Sequence, residues 1–144
     1  VSEYTGYNSR LDEIQAAVLD VKLKYLETEI EKRKKIADLY LKKITNTQIK
    51  LPLVNDWESH VFHLFPILVE KRDDLQSYLL ENGIQTLIHY PIPPHKQTCY
   101  KEMNHLSFPI TEEIHNKELS LPIGPEISLQ EADFISDILN KWNQ

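Results

Sequence analysis

From residue 11 the apolar positions fall into a helical stripe. Leu11, Ile14, Val18, Val21 and Tyr25 recur at three- and four-residue spacing, the repeat that lines one face of an α-helix. At Leu26 the stripe restarts one residue over and runs through Ile30, Arg33, Ala37, Tyr40 and Ile44. A slip of one residue turns the apolar face by about 100°, so the pattern predicts a bend or break at Tyr25/Leu26 and not one straight rod. Neither glycine nor proline falls between Ser9 and Leu51, and helix is unopposed there. Ser9 and Asp12 form a candidate N-cap pair. The second segment carries Glu27, Glu29, Glu31, Lys32, Lys34 and Lys35 between its apolar positions, a solvated face with i,i+4 pairs such as Glu31–Lys35.

Beyond Ile49–Leu51 the period changes. His60–Val69 is apolar at both parities, as in a strand covered on each side, with Pro66 marking an edge or bulge. Asp73 or Asp74 is placed to cap a helix carrying Leu75, Tyr78 and Leu79, and Gly83 to end it in a left-handed conformation. Ile84–Tyr90 reads as the next strand, interrupted by three prolines between Pro91 and Pro94. A short helix near Lys96–Met103 follows, then one opened by Thr111, then a short extended piece at Leu119–Leu121. Ser128 and Glu131 have the spacing of a capping box, before a helix that turns Ala132, Ile135, Leu139 and Trp142 inward. The predicted class is α+β: long N-terminal helices, then a small mixed α/β domain with a short sheet, all within one domain spanning 1–144.

Composition narrows the partners. The 144 residues carry a net charge of −6, and the only arginines, Arg10, Arg33 and Arg72, are far apart. That argues against a nucleic-acid partner, whose phosphates need clustered cations. No apolar run reaches the length of a membrane span, so no membrane is expected. One cysteine, Cys99, excludes an internal disulfide and fits a reducing, cytoplasmic setting. The first residue is Val1 and not methionine, from which we expect a piece of a longer polypeptide.

Six histidines raise the question of a metal. His60 and His63 fall on opposite faces of a strand, and no acidic or cysteine ligand accompanies His89 and His95 in a recognised spacing. No metal site is therefore expected. His60, His105 and His115 read as ordinary surface or hydrogen-bonded residues, and His63 as a satisfied core histidine. Cys99 lacks the local signature of a nucleophile and reads as a small buried filler. Gly6–Arg10 combines a glycine, a tyrosine, an asparagine amide and a helix start, a polar edge suited to an anion. Ile88–Gln97 sets two imidazoles, a phenol, an ammonium and an amide around a stiff proline turn, which suits a site that must orient polar groups.

Four blocks together carry a resemblance: GYNSRLDEIQAAVLDVKL (Gly6–Leu23), VFHLFPI (Val61–Ile67), GIQTLIHYPIPPHKQ (Gly83–Gln97) and LSLPIGPEIS (Leu119–Ser128). In this order and spacing they are similar to the carboxy-terminal part of the DegT/DnrJ/StrS-type sugar-nucleotide aminotransferases, which use pyridoxal 5′-phosphate on a type I fold. IHYPIPPHKQ resembles the branch that makes dTDP-3-amino-3,6-dideoxyhexoses. The resemblance implies a small, substrate-side domain whose cofactor-binding large domain, with its Schiff-base lysine, lies upstream. It therefore implies no catalytic residue within this chain, an inactive fragment, and an active homodimeric parent that uses glutamate and a nucleotide sugar. Asn8 matches the family's asparagine that contacts the cofactor phosphate held by the neighbouring subunit. His89 and Tyr90 match a pair facing the sugar, and Arg10 and His95 are secondary candidates beside these motifs. Lys96, next to His95, offers a locally basic edge for an anionic substrate.

A rival of another class is a non-catalytic interaction module, with the N-terminal helices as a dimerisation hairpin, since coiled-coil pairing uses the same 3-4 stripe. A family member that lost catalysis and became a regulator also fits the residues.

Overall fold

Two helices open the chain and part where the apolar stripe slips. The structure, a computed structural model, describes residues 4, 6 and 12–143; Asn8, Ser9 and Arg10 lie outside the described residues. Helix α1 (Glu13–Leu23) is capped by Asp12, whose Oδ1 accepts the Gln15 N–H at 2.8 Å. A turn at Lys24–Tyr25 separates it from α2 (Leu26–Lys43). The α1 stripe meets nothing among the described residues: Ile14, Val18 and Val21 are all more than half exposed. The α2 stripe does the reverse and buries Ala37, Tyr40 and, just past the helix, Ile44. Lys34, not Lys35, pairs with Glu31, at 3.8 Å, because Lys34 lies on the inner side, where its Nζ also donates to the Glu58 carbonyl.

The remaining elements are β1 (Phe65–Leu68), α3 (Arg72–Glu81), two 3-10 turns (Pro94–Lys96 and Thr98–Met103), α4 (Pro109–Lys117), β2 (Glu118–Leu121) and α5 (Leu129–Lys141). The α+β expectation holds, with a sheet of two antiparallel strands that pairs Phe65 with Leu121 and Ile67 with Leu119. Lys50 extends it by a bridge to Leu68 and Leu87 by a bridge to Ser120. Around the sheet, Tyr40, Phe65, Ile67, Leu75, Leu79, Leu119 and Leu139 are fully buried in one cluster.

Helix α5 packs on α2. The Ser128–Glu131 capping box forms in both directions, and Ala132, Ile135, Leu139 and Trp142 are buried. Two asparagines stitch the end of α2 to the end of α5. Asn140 Oδ1 accepts the Thr45 N–H at 2.8 Å while its amide donates to the Lys43 carbonyl at 2.9 Å. Asn46 Nδ2 donates to the Leu139 and Trp142 carbonyls, each at 2.8 Å. Tyr40 reaches across the core, and its hydroxyl donates to the Pro122 carbonyl at 2.8 Å.

Several boundaries differ from the sequence reading, each for a local reason. The strand expected over His60–Val69 starts only at Phe65, because Phe62 has a left-handed φ of 46° and its N–H is taken by His60 Nδ1. His63, expected in the core, is exposed. Asp73 and Asp74 do not cap α3; Lys71 is the cap residue, and Asp73 instead accepts from Arg72 Nε. Gly83 does end α3, with φ 76°, its N–H on the Leu80 carbonyl and the Ile84 N–H on the Leu79 carbonyl. Helix α4 starts at Pro109, two residues before Thr111, because proline suits the first helical position and Glu112 reaches back to the Phe108 N–H.

Candidate functional site

The stretch 84–90 is not a strand. Leu87 and Ser120 exchange backbone hydrogen bonds, at 3.3 and 2.8 Å. Two residues on, in the same antiparallel register, His89 stands opposite Glu118, and there a side chain replaces the ladder. The His89 N–H donates to Glu118 Oε2 at 2.7 Å. The imidazole Nδ1 lies 3.0 Å from Ser120 Oγ, and that hydroxyl donates to Glu118 Oε1 at 2.5 Å. The peptide between His89 and Tyr90 is cis, and the two rings meet edge to face with centroids 5.6 Å apart. His115, on α4, donates from Nδ1 to the Tyr90 carbonyl.

The proline-rich loop that follows is held by its own side chains. Gln97 Nε2 donates to the Ile92 carbonyl at 2.9 Å, and Asn104 Nδ2 to the His95 carbonyl at 2.7 Å. Lys96 Nζ donates to the Asn104 and Leu106 carbonyls, both at 2.9 Å, so the ammonium expected as a basic edge is tied into the loop. His95 is only 4% exposed. Its Nε2 lies 2.9 Å from Glu112 Oε1, and its ring meets Phe108 edge-on. The Phe108 N–H first, and the His95 ring second, hold the Glu112 carboxyl below the usual carboxylate range. His95 is thus turned toward α4 through Nε2.

These supports shape a cleft of about 620 Å3 bounded by Tyr4, Gly6, Tyr90, Pro91, Ile92, Pro94, Gln97, Cys99, Tyr100 and His115. Among the described residues, no carboxylate, ammonium or guanidinium lines it. Its walls are phenols, an amide, an imidazole and proline rings, a lining that hydrogen-bonds hydroxyls and stacks on flat or ring-shaped groups. Tyr90 stands at its rim, 67% exposed. His89 borders a second hollow of about 170 Å3, with Ser120, His63 and Pro122. The pair is therefore adjacent but serves neighbouring hollows. Among the described residues no three His, Cys, Asp or Glu side chains converge as a metal site, and no helix is long and apolar enough to cross a membrane.

Three participants escaped the sequence reading. Ser120 lies in the piece read only as extended, Leu119–Leu121, and Glu118 just before it, where the strand begins; a carboxylate and a hydroxyl two residues apart in an otherwise apolar strand share one side of it, and that is the available signal. His115, read as an ordinary surface or hydrogen-bonded residue, is hydrogen-bonded, to the Tyr90 carbonyl, and its place at the border of the cleft is what the reading lacked. Nothing local announces that, because its partner is 25 residues away.

Comparison with known proteins places these features in a wider group. The profile described as the DegT/DnrJ/EryC1/StrS aminotransferase family matches residues 1–140. The dTDP-3-amino-3,6-dideoxy-alpha-D-galactopyranose transaminase of Aneurinibacillus thermoaerophilus is 50% identical over 139 residues, 96% of this chain and 38% of that protein. The crystal structure of DesV from S. venezuelae in complex with a ketimine intermediate superposes with a TM-score of 0.87 at 38% identity, over 97% of this chain and 38% of that one. The structure of NtdA from Bacillus subtilis with bound cofactor PMP gives 0.80 at 36% identity, over 93% and 33%. The chain thus spans well under half the length of the proteins it matches.

Proposed function

Because the chain belongs to the DegT/DnrJ/EryC1/StrS aminotransferase family, we propose that it is the small, substrate-side domain of a longer enzyme. That enzyme transfers an amino group from glutamate to a dTDP-keto-6-deoxyhexose. The observation that carries this reading is the cleft beside the braced His89–Tyr90 corner, whose described lining is phenol, imidazole, amide and proline. It offers phenol, imidazole and amide groups on rigid supports, the chemistry of a site that orients sugar hydroxyls. The 50% identity with a dTDP-aminosugar transaminase supports the substrate class.

Pyridoxal 5′-phosphate is the cofactor of the longer protein; when bound, it supplies the electron sink that amino transfer needs. The described residues do not fit that group by themselves. Of those lining the cleft none is a lysine to bind it covalently and none an acid to meet a pyridinium nitrogen, so no step is assigned to it here. Its lysine and aspartate belong, on this reading, to an upstream large domain. Asn8 then reaches the cofactor phosphate of the neighbouring subunit in a homodimer, His89 and Tyr90 face the sugar, and Arg10 is a secondary contact, whereas His95, expected as another, is buried against Glu112 of α4 and supports the loop instead. The setting is cytoplasmic synthesis of deoxyaminosugars for surface polysaccharides or related products.

The second reading, a non-catalytic dimerisation module, is favoured by one observation, the outward apolar stripe of α1. One experiment separates the two. The longer protein is expressed, its bound pyridoxal phosphate is followed by visible absorbance, and amino transfer from glutamate to dTDP-3-keto-6-deoxyhexose is assayed. Transfer is expected, with no dialysis-resistant pyridoxal adduct on the 144-residue chain alone. A stoichiometric, dialysis-resistant adduct on that chain, or no transfer by the longer protein, overturns the proposal.

A further inference from the structure

Glu118 is a buried carboxylate, 5% exposed, and among the described residues no cation pairs with it; its neighbour Lys117 is paired with Glu70 and Glu113 instead. Burying such a group is costly unless its oxygens are hydrogen-bonded. They are, by one peptide N–H and one serine hydroxyl, and both donors lead to His89. Ser120 is buried as well, at 4%, and its single proton has two partners within reach, Glu118 Oε1 and His89 Nδ1. With Glu118 ionised, turning that proton toward His89 would leave two oxygens facing each other at 2.5 Å with no proton between them. It points to Glu118, and the remaining lone pair of Ser120 Oγ can then only accept. The imidazole must supply the donor, from Nδ1.

We propose that Ser120 and Glu118 are positioning residues that hold the His89 imidazole in the tautomer protonated at Nδ1, leaving Nε2 as a hydrogen-bond acceptor. An acceptor nitrogen takes a bond from a hydroxyl or an amine and gives none to a phosphate or carbonyl oxygen. The hollow bordered by His89 therefore selects the hydroxyl-bearing part of a sugar substrate over its phosphates. This rests on the reading of His89 as substrate-facing given above.

The chemistry makes a distinct prediction for each of two substitutions. In Glu118→Gln the amide oxygen still accepts the His89 N–H, but the NH2 now donates to Ser120 Oγ. The serine proton is released toward His89 Nδ1, and the ring moves its own proton to Nε2. In Ser120→Ala the ring loses the acceptor that fixes it. The test is the 15N spectrum of the histidine-labelled full-length enzyme, which separates a protonated from an unprotonated ring nitrogen, with each half-reaction measured in parallel. The parent enzyme should show His89 protonated at Nδ1, Glu118→Gln at Nε2, and Ser120→Ala a mixture. Both variants should lose about tenfold in kcat/KM for the keto sugar, the worth of one oriented hydrogen bond, and stay within about twofold for glutamate. Protonation at Nε2 in the parent, or one tautomer in all three proteins, overturns the proposal. A tautomer that responds as expected while the keto-sugar rate is unchanged upholds the relay and refutes only the substrate-facing reading of His89.

Discussion

Removing the Tyr40 hydroxyl tests how the core closes over the sheet. Tyr40 is fully buried, its ring packs on Phe65 with centroids 5.1 Å apart, and its hydroxyl donates to the Pro122 carbonyl at 2.8 Å. Tyr40→Phe keeps the ring contact and deletes only the donor. The Pro122 carbonyl is left half-buried without it, so the cost at neutral pH should be about 1–2 kcal/mol, the lower part of the range for an orphaned acceptor. Burial first, and the nearby Glu131 charge second, push the phenol well above its ordinary value. The native state therefore keeps a proton that the unfolded chain gives up above pH ~10. Its contribution is complete below that pH and is lost as the pH rises, at about 1.4 kcal/mol per pH unit. The phenylalanine variant has no such proton. Lys43 and Lys117, raised by their carboxylate partners, titrate alike in both proteins and cancel from the difference. Urea unfolding of the two proteins from pH 7 to 11.5 should give stabilities that converge above pH ~10 and cross about one unit higher. A difference that stays constant across that range would show that the hydroxyl is hydrated, and that Tyr40 does not seal the core as described.

Trp142→Ala should cost about 3–5 kcal/mol, because the indole is buried in the core at the end of α5 at 7% exposure; an unchanged Tm would show that α5 is not docked through it. Gly83→Ala, at φ 76° with open space around the added methyl, should cost about 1 kcal/mol through backbone strain alone, and a stabilised variant in thermal melts would contradict the left-handed cap. In the longer enzyme, His89→Gln or Tyr90→Phe should lower kcat/KM for the keto sugar by roughly tenfold to a hundredfold with less effect on the glutamate half-reaction; equal loss in both would assign the pair to loop support. Asn8→Ala should weaken pyridoxal phosphate retention, and mixed dimers with a lysine-dead subunit should regain part of the activity, whereas purely additive loss would remove the cross-subunit role.

What the sequence revealed of the fold was whatever is decided within a few residues. The Ser128–Glu131 box, the left-handed Gly83 and the break expected at Tyr25/Leu26, found over Lys24–Tyr25, are set by neighbours three or four positions away, and they could be read directly. The strand expected at Ile84–Tyr90 could not be corrected that way. Its first N–H closes the end of α3 and the His89 N–H is claimed by a carboxylate 29 residues on, so a favourable apolar pattern is left with one bridge. The same holds at the candidate site. Ile88–Gln97 stood out by composition, but the serine and glutamate that aim its first histidine come from a strand that looked featureless. His63 failed because apolar neighbours on both sides implied burial, while the turn at Phe62 faces it outward.

The two asparagine stitches set the order in which this part of the molecule can come into being. Lys43–Asn46 and Leu139–Trp142 hold each other across more than ninety residues, and the buried face of α2 has α5 as its helical cover. During synthesis α2 leaves the ribosome with that face bare and waits for nearly everything else to follow. Contacts of such long range close late and slowly. The unit should then fold in one step after α5 emerges, and a nascent chain stalled before residue 129 should remain open to protease and attractive to chaperones.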